Sequence, residues 1–298
     1  MARIICQQLA PQIADLAGNR RLSVEAIRAA VQGGADVVVL PELVTSGYVF
    51  ESREEAASVA ITPSHRLFAE WALAAARGPS VVVGGFCERG ADGLLYNSAA
   101  MVDGSGVRAV YRKTHLWARE KLVFEPGAGA PPVLDTQVGR LGVLVCYDLE
   151  FPEMTRTLAL MGADLIVVPT NWPLLERPPA ERPPEVIIAM AAARTNRVFV
   201  ACCDRVGVER GQEWTAGTAI IDQSGWVIST TCEAGPATAD VDLALARRKG
   251  WSDLNDVLGD RRPELYSALS AKQTGSAQPP LTVSDRTASL SEGPARTG

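Results

Sequence analysis

Histidine is almost missing from these 298 residues, His65 and His115 being the only two. Protein sites for zinc draw on imidazoles or on closely paired cysteines, and the six cysteines here include no Cys-x-x-Cys spacing. No metal and no other cofactor is therefore expected. The cysteines are also too few and too scattered for a secreted disulfide scaffold, only Cys202 and Cys203 being adjacent. Reduced thiols and a cytoplasmic location follow as expectations. A surplus of positive charge is missing as well: the formal net charge is -5, which supplies no basic footprint for a polyanion and argues against a nucleic-acid partner. No apolar run approaches the roughly 20 residues of a membrane-spanning helix. Ile4-Ile5-Cys6 turns polar too soon for a signal-peptide core, so no membrane partner is expected. What remains is small-molecule chemistry.

With 47% hydrophobic and 21% charged side chains the chain can bury a large core. Strand-like and helix-like segments alternate. Residues 3–9 read as a strand, 19–33 as an amphipathic helix, 36–41 as a valine-rich buried strand, 63–77 as an alanine-rich helix after Thr62-Pro63, and 80–87 as a strand. Residues 96–102 and 107–112 flank the turn Asp103-Gly104-Ser105-Gly106 and predict a hairpin. The second half repeats the alternation: strand 140–146, helix 152–162, strand 164–169, helix 184–196, strand 198–203, then short strands near 216–222, 226–230 and 237–242. So many strands with helices between them imply an α/β protein of two sheets with helices outside. The domain is expected over 1–268, and 269–298, rich in Ser, Thr, Ala, Gly and Pro, is expected to be a flexible or partner-draped tail.

Three strand-like runs end in reactive side chains. Val37-Val38-Val39-Leu40-Pro41 reaches Glu42, the hairpin reaches Lys113, and 140–145 reaches Cys146 just before Phe151-Pro152-Glu153, a helix start. A free thiol needs a base or a positive environment to attack a carbonyl. A carboxylate can take its proton, and an ammonium together with the Tyr147 backbone N–H can hold the oxyanion, with the helix near Pro152 adding its positive end. The product would be a thioester that water then opens. The other five cysteines, Cys6, Cys87, Cys202, Cys203 and Cys232, lie in apolar stretches and read as small core hydrophobes.

These blocks resemble a known family. Pro41-Glu42-Leu43 with Gly47-Tyr48, Tyr111-Arg112-Lys113-Thr114-His115-Leu116, and Cys146-Tyr147-Asp148 followed by Phe151-Pro152-Glu153 and Arg156 are similar to the signature blocks of the nitrilase superfamily, the carbon-nitrogen hydrolases. The resemblance runs on through Pro169-Thr170-Asn171-Trp172, Arg194-Thr195-Asn196-Arg197 and Asp260-Arg261-Arg262-Pro263-Glu264, covering roughly residues 3–266. It implies a four-layer α-β-β-α sandwich, the roles of base, oxyanion stabiliser and nucleophile for Glu42, Lys113 and Cys146, and a second glutamate that positions substrate. Glu120 matches that position better than Glu125. It also implies a homodimer or larger homo-oligomer paired through the helices after the Cys block. Thr195 departs from the family, where Glu is frequent, which puts a helix-packing contact in doubt.

Cys146-Tyr147-Asp148 looks more like the amidase and carbamoyl-hydrolase branches than the Cys-Trp-Glu of true nitrilases. A small carboxamide with release of ammonia is the first reading, and a nitrile or an N-carbamoyl amino acid is the alternative. Tyr147, Trp117, Tyr48, Asn171 and Trp172 are candidates for the substrate wall, with Phe151 beside them. Arg177 or Arg182, in the proline-rich segment 176–184, would favour a carboxylated substrate if either faced inward. Two other readings compete: a papain-like enzyme in which His115 is the base for Cys146, and a non-catalytic binding module in which Cys146 is structural.

Overall fold

The computed structural model describes residues 1–231 and 235–271. Along the chain the strands are β1 (Ala2–Gln8), β2 (Val37–Val39), β3 (Val81–Arg89), β4 (Leu95–Asp103), β5 (Gly106–Arg112), β6 (Val133–Asp135), β7 (Arg140–Val143), β8 (Leu165–Pro169), β9 (Phe199–Cys203), β10 (Val208–Glu209), β11 (Gln212–Glu213), β12 (Ala219–Ile221), β13 (Val227–Thr230), β14 (Gly235–Val241), β15 (Gly250–Ser252) and β16 (Asn255–Asp256). The helices are α1 (Leu16–Gln32), α2 (Arg53–Val59), α3 (Arg66–Ala75), α4 (Glu120–Val123), α5 (Pro152–Leu160) and α6 (Pro184–Asn196).

Two six-stranded sheets result, ordered β14-β1-β2-β3-β4-β5 and β13-β12-β9-β8-β7-β6. They repeat one pattern. In each, three consecutive parallel strands (β1, β2, β3 and β7, β8, β9) carry an antiparallel strand on one side (β14 and β6) and two antiparallel strands on the other (β4, β5 and β12, β13). Strand periodicity assigns the layers. Val37, Val39, Val83 and Met101 join the second sheet's Val143, Val167 and Ala201 in the core between the sheets. Val38, Leu40, Val82 and Phe86 face α1 and α3 on the other side. Strands buried on both faces carry unbroken apolar runs such as Val37-Val38-Val39 and Leu165-Ile166-Val167-Val168.

The first sheet is covered by α1 and α3. Asp15 caps α1 by accepting from the Gly18 N–H at 2.8 Å. Trp71 of α3 is fully buried, donates through Nε1 to Ser23 Oγ of α1 at 3.0 Å, and lies over Gly84 of β3, where a Cβ would come within 2.8 Å of its ring. The second sheet is covered by α5 and α6, with Leu158 of α5 packed on Gly142 of β7 in the same manner. The four-layer α-β-β-α sandwich is thus present.

Several details differ from the sequence reading. The strand expected over 140–146 stops at Val143: Leu144 N–H still reaches Val167 O of β8, but Cys146–Glu150 then form a 3-10 turn. The helix expected from Pro152 does begin there, one turn beyond the thiol. The short elements α2, α4, β6, β10 and β11 were not foreseen; with two to seven residues each they carry too little periodicity to read. Thr195, where a packing contact was in doubt, is exposed and turns its hydroxyl to Ala191 O at 2.8 Å. Cys6, Cys87, Cys202 and Cys203 are buried free thiols as expected, whereas Cys232 and the tail beyond residue 271 lie outside the described residues.

Candidate active site

Glu42 sits just beyond β2 on a segment pressed against β3. A Cβ on Gly85 would lie 2.2 Å from Leu43 N and 2.6 Å from Glu42 Cα, so only glycine admits this approach. Lys113 follows β5 and is fixed by Lys113 N–H to Asn97 O and Gly127 N–H to Lys113 O, both at 2.8 Å. Cys146 opens the 3-10 turn with φ 48°, a left-handed conformation uncommon for a residue with a side chain. Leu43 (φ 48°) and Ala118 (φ 42°), next to Glu42 and near Glu120, share it. Strain of this kind persists where surrounding structure over-determines it, and three of the eight described non-glycine residues with positive φ lie at this cluster.

Glu42 and Lys113 are completely buried, and Cys146 and Glu120 nearly so. Lys113 Nζ donates to Glu42 Oε1 and to Glu120 Oε1, each at 2.7 Å. Asn97 Nδ2 donates to Glu42 Oε1 at 2.7 Å, while Glu42 Oε2 is buried with no partner among the described residues. Glu120 also accepts from Tyr48 Oη and, through Oε2, from Trp117 N–H at 3.2 Å. Burial pushes the Glu42 carboxyl up to about 7, against the pull of the Lys113 ammonium. Burial works against the Lys113 charge too, yet the carboxylates of Glu120 and Glu42 outweigh it and hold the ammonium well above its ordinary range. Burial and then Glu42 push the Cys146 thiol well up, opposed by Lys113 and by the backbone N–H of Asn171. The resting thiol is protonated, beside a carboxylate poised near neutrality.

The sheet ends are latched across the site. Asp148, in the 3-10 turn of the second sheet, accepts from Tyr111 Oη of β5 at 2.9 Å, from His115 N–H at 2.9 Å and from Val145 N–H at 3.3 Å. Asn171, beyond β8, donates through Nδ2 to Glu42 O at 2.9 Å. His115 lies within 2.8 Å of Asp148 Oδ1 through Nδ1 and stacks on Phe151 at 3.6 Å between ring centroids. Its ring is occupied in holding the turn. Glu125 stands apart from the cluster, paired with Arg53 at 3.1 Å.

Beside Glu120 opens a cleft lined by Tyr48, Phe50, Trp117, Val123, Phe124 and Trp214 among others. Tyr147 is half-buried with its ring against Trp117, 4.8 Å between centroids. Trp172 is placed elsewhere than expected: its ring is in the core over Gly217, and its N–H is held by Asp204 at 2.9 Å. Arg177 and Arg182 are exposed.

The sequence reading missed Asn97, the partner role of Asp148, and Glu209 with Arg205. Glu209 accepts from Tyr48 N–H at 2.9 Å and Val49 N–H at 2.6 Å, and takes Arg205 Nη1 at 2.9 Å, fastening the β10–β11 hairpin to the cleft wall. The available signal was polar residues inside apolar strands, as Asn97 is in Leu95–Asp103.

Comparison with known proteins decides the family, because the carbon-nitrogen hydrolase family model matches residues 4–251. The chain belongs to the carbon-nitrogen hydrolases. A nitrilase from Pyrococcus abyssi is 38% identical over 269 residues, spanning 89% of this chain and 99% of that one. An (R)-stereoselective amidase from a Pseudomonas species is 36% identical over 275 residues, spanning 90% and 92%. Among solved structures, an amidase from Nesterenkonia sp. superposes with a TM-score of 0.72 at 28% identity, covering 90% of this chain and 96% of that chain. A glutamate-to-glutamine variant of that amidase, with a TM-score of 0.73 at 28% identity over 90% and 96% of the two chains, shows covalent addition of the acetamide moiety of fluoroacetamide at the active-site cysteine. This carbon-nitrogen hydrolase is therefore an enzyme of the amidase type, and it acts on a small-molecule substrate. Among the described residues no helix is long and apolar enough to cross a membrane.

Proposed function

We propose that the protein hydrolyses small linear carboxamides through a thioester on Cys146, releasing ammonia. Sγ attacks the carbonyl carbon as its proton passes to Glu42. The resulting oxyanion is held by Lys113, whose ammonium has one N–H beyond the two given to Glu42 and Glu120, and by the Tyr147 backbone N–H. Collapse breaks the carbon–nitrogen bond, the nitrogen leaving with the proton from Glu42. Water, deprotonated by the same carboxylate, then opens the thioester, giving the carboxylic acid and regenerating the thiol. Glu120 fixes the ammonium and borders the substrate space.

The observation that carries this reading is the asymmetry of Glu42, whose charge acts on the Cys146 thiol: one oxygen accepts two hydrogen bonds, and the other is buried without a partner among the described residues. Such an oxygen has a proton site and nothing else to do. The exposed positions of Arg177 and Arg182 leave the carboxylated-substrate reading unsupported. The test is ammonia release from acetamide and propionamide, with mass spectrometry of the quenched enzyme. An acyl increment on the Cys146 peptide, absent in Cys146→Ala, is expected; turnover by Cys146→Ala would refute the reading. Pairing of two chains through α5 and α6 belongs to the same proposal, supported by Leu160, Met161 and Ile187, which are 49%, 41% and 48% exposed there. Sedimentation at micromolar concentration tests it, a monomer counting against it.

A further inference from the structure

Glu42 follows a strand of the first sheet, yet its main-chain N–H and C=O are both bonded to the second. The N–H donates to Thr170 O at 3.4 Å, and the C=O accepts from Asn171 Nδ2 at 2.9 Å. Thr170 and Asn171 are the two residues that follow β8. The Asn171 backbone N–H also reaches the nucleophile: it hydrogen-bonds the Cys146 sulfur and favours the thiolate against the effect of burial. One residue thus touches the base through its side chain and the thiol through its main chain.

Asn171 is itself held from both sides. Thr170 N–H donates to Cys203 O at 2.9 Å before it, and Trp172 N–H donates to Asp204 Oδ1 at 2.9 Å after it. Asp204 is completely buried and accepts as well from Arg205 N–H at 2.9 Å and Gly217 N–H at 2.8 Å. Three backbone donors on one buried carboxylate make a firm anchor, so the peptide between these neighbours has little freedom. With 1% of its surface exposed, Asn171 presents almost nothing to a substrate, unlike the half-buried Tyr147.

We infer that Asn171 is a positioning residue that ties the base to the nucleophile from one sheet to the other, so that the S–H proton has a fixed path to Glu42. The inference rests on the Cys146 thioester reading. A residue expected on the substrate wall thus acts on the reacting pair instead. Loss of its side-chain donor frees the Glu42 carbonyl from the second sheet, while Asn97 and Lys113 still hold the carboxylate from the first. Base and thiol then lose their mutual alignment, which penalises proton transfer and leaves substrate binding intact.

The experiment uses Asn171→Ala and Asn171→Ser, whose side chains are too short to reach the Glu42 carbonyl. It measures kcat and KM for propionamide, the rate at which iodoacetamide alkylates the Cys146 peptide, and the mass of the quenched enzyme. In both variants kcat is expected to fall by about tenfold to 10²-fold, with KM within about twofold of the parent. Alkylation should slow by about the same factor, because iodoacetamide too is attacked only once the sulfur has given up its proton. Any other division of the loss overturns the assignment. A rise in KM at unchanged kcat returns Asn171 to the substrate wall. A fall in kcat with unchanged alkylation places its effect after thiol activation. Full activity in either variant, or failure of both to fold, leaves Asn171 no part in alignment. Absence of an acyl increment on Cys146 of the parent enzyme overturns the thioester reading itself and the positioning role with it.

Discussion

Asn97 and Lys113 occupy the same oxygen of Glu42, each at 2.7 Å from Oε1. Two donors on one oxygen fix the carboxylate plane and direct the partnerless Oε2. Both also favour the charged form, opposing the burial that raises the carboxyl to about 7.

A pH profile should report this. A base must be ionised to accept the thiol proton, so kcat/KM is expected to fall as pH drops through about 7, approaching tenfold per unit below it. Asn97→Ala removes a bond that stabilises the carboxylate, and the limb should move to higher pH. A limb that stays in place would show that some other group controls it.

Lys113→Met should be both inactive and pH-sensitive in its stability. The substitution leaves the Glu42 and Glu120 carboxyls buried together without their cation. Removing one partner from a buried ion cluster costs about 3–5 kcal/mol. With Lys113 gone the folded-state pKa of Glu42 rises further above its unfolded value. The folded state then binds the extra proton, and stability is lost as pH rises through that pKa. Thermal unfolding at pH 5 and pH 8 is the measurement: the deficit relative to the parent enzyme should be larger at pH 8.

His115→Ala should keep most of its ammonia release. The ring is held by Asp148 and stacked on Phe151, a structural duty whose loss costs about 1 kcal/mol of stability. Turnover within about tenfold of the parent is expected, set against a loss of about 10²-fold or more in Glu42→Gln. A folded His115→Ala as inactive as Cys146→Ala would revive the cysteine–histidine mechanism.

Glu209→Gln should act through binding. Its carboxylate holds the Tyr48 and Val49 N–H groups and Arg205, and a carboxamide has one acceptor oxygen where three donors converge. Leaving a buried donor unmet costs about 1–3 kcal/mol. Because Tyr48 and Val49 line the cleft, KM for propionamide should rise more than kcat falls. An unchanged KM in a destabilised protein would confine Glu209 to folding.

How much of this was legible in the residues depends on the range of the contacts involved. Glu42, Lys113 and Cys146 each end an apolar run, and sheets bring strand ends to a common rim, so position along the chain carried the information. The two-sheet architecture followed from strands too apolar to face water, such as Leu165–Pro169. The partners Asn97 and Glu209 were hidden because their bonds span 55 and 160 or more residues and leave no local pattern. The 3-10 turn at Cys146 was masked by the apolar run Leu144-Val145, whose side chains enter the core beyond the end of β7. Trp172 looked like a substrate wall because it adjoins Asn171, but a tryptophan beside a buried aspartate and a glycine is packed inward.

The base and the ammonium ride on the first sheet, and the thiol rides on the second. Between them lies a layer of interlocked side chains, including Met101 and Val83 from one sheet and Val143 and Val167 from the other. The reacting distance is therefore a thickness, set by how those side chains fill their layer and only secondarily by any length of backbone. Close-packed interiors resist compression and transmit displacement. A methylene removed at Met101, remote from any substrate, would reach the chemistry as a change of alignment, making the hydrocarbon filling of this protein a spacer in its catalytic machinery.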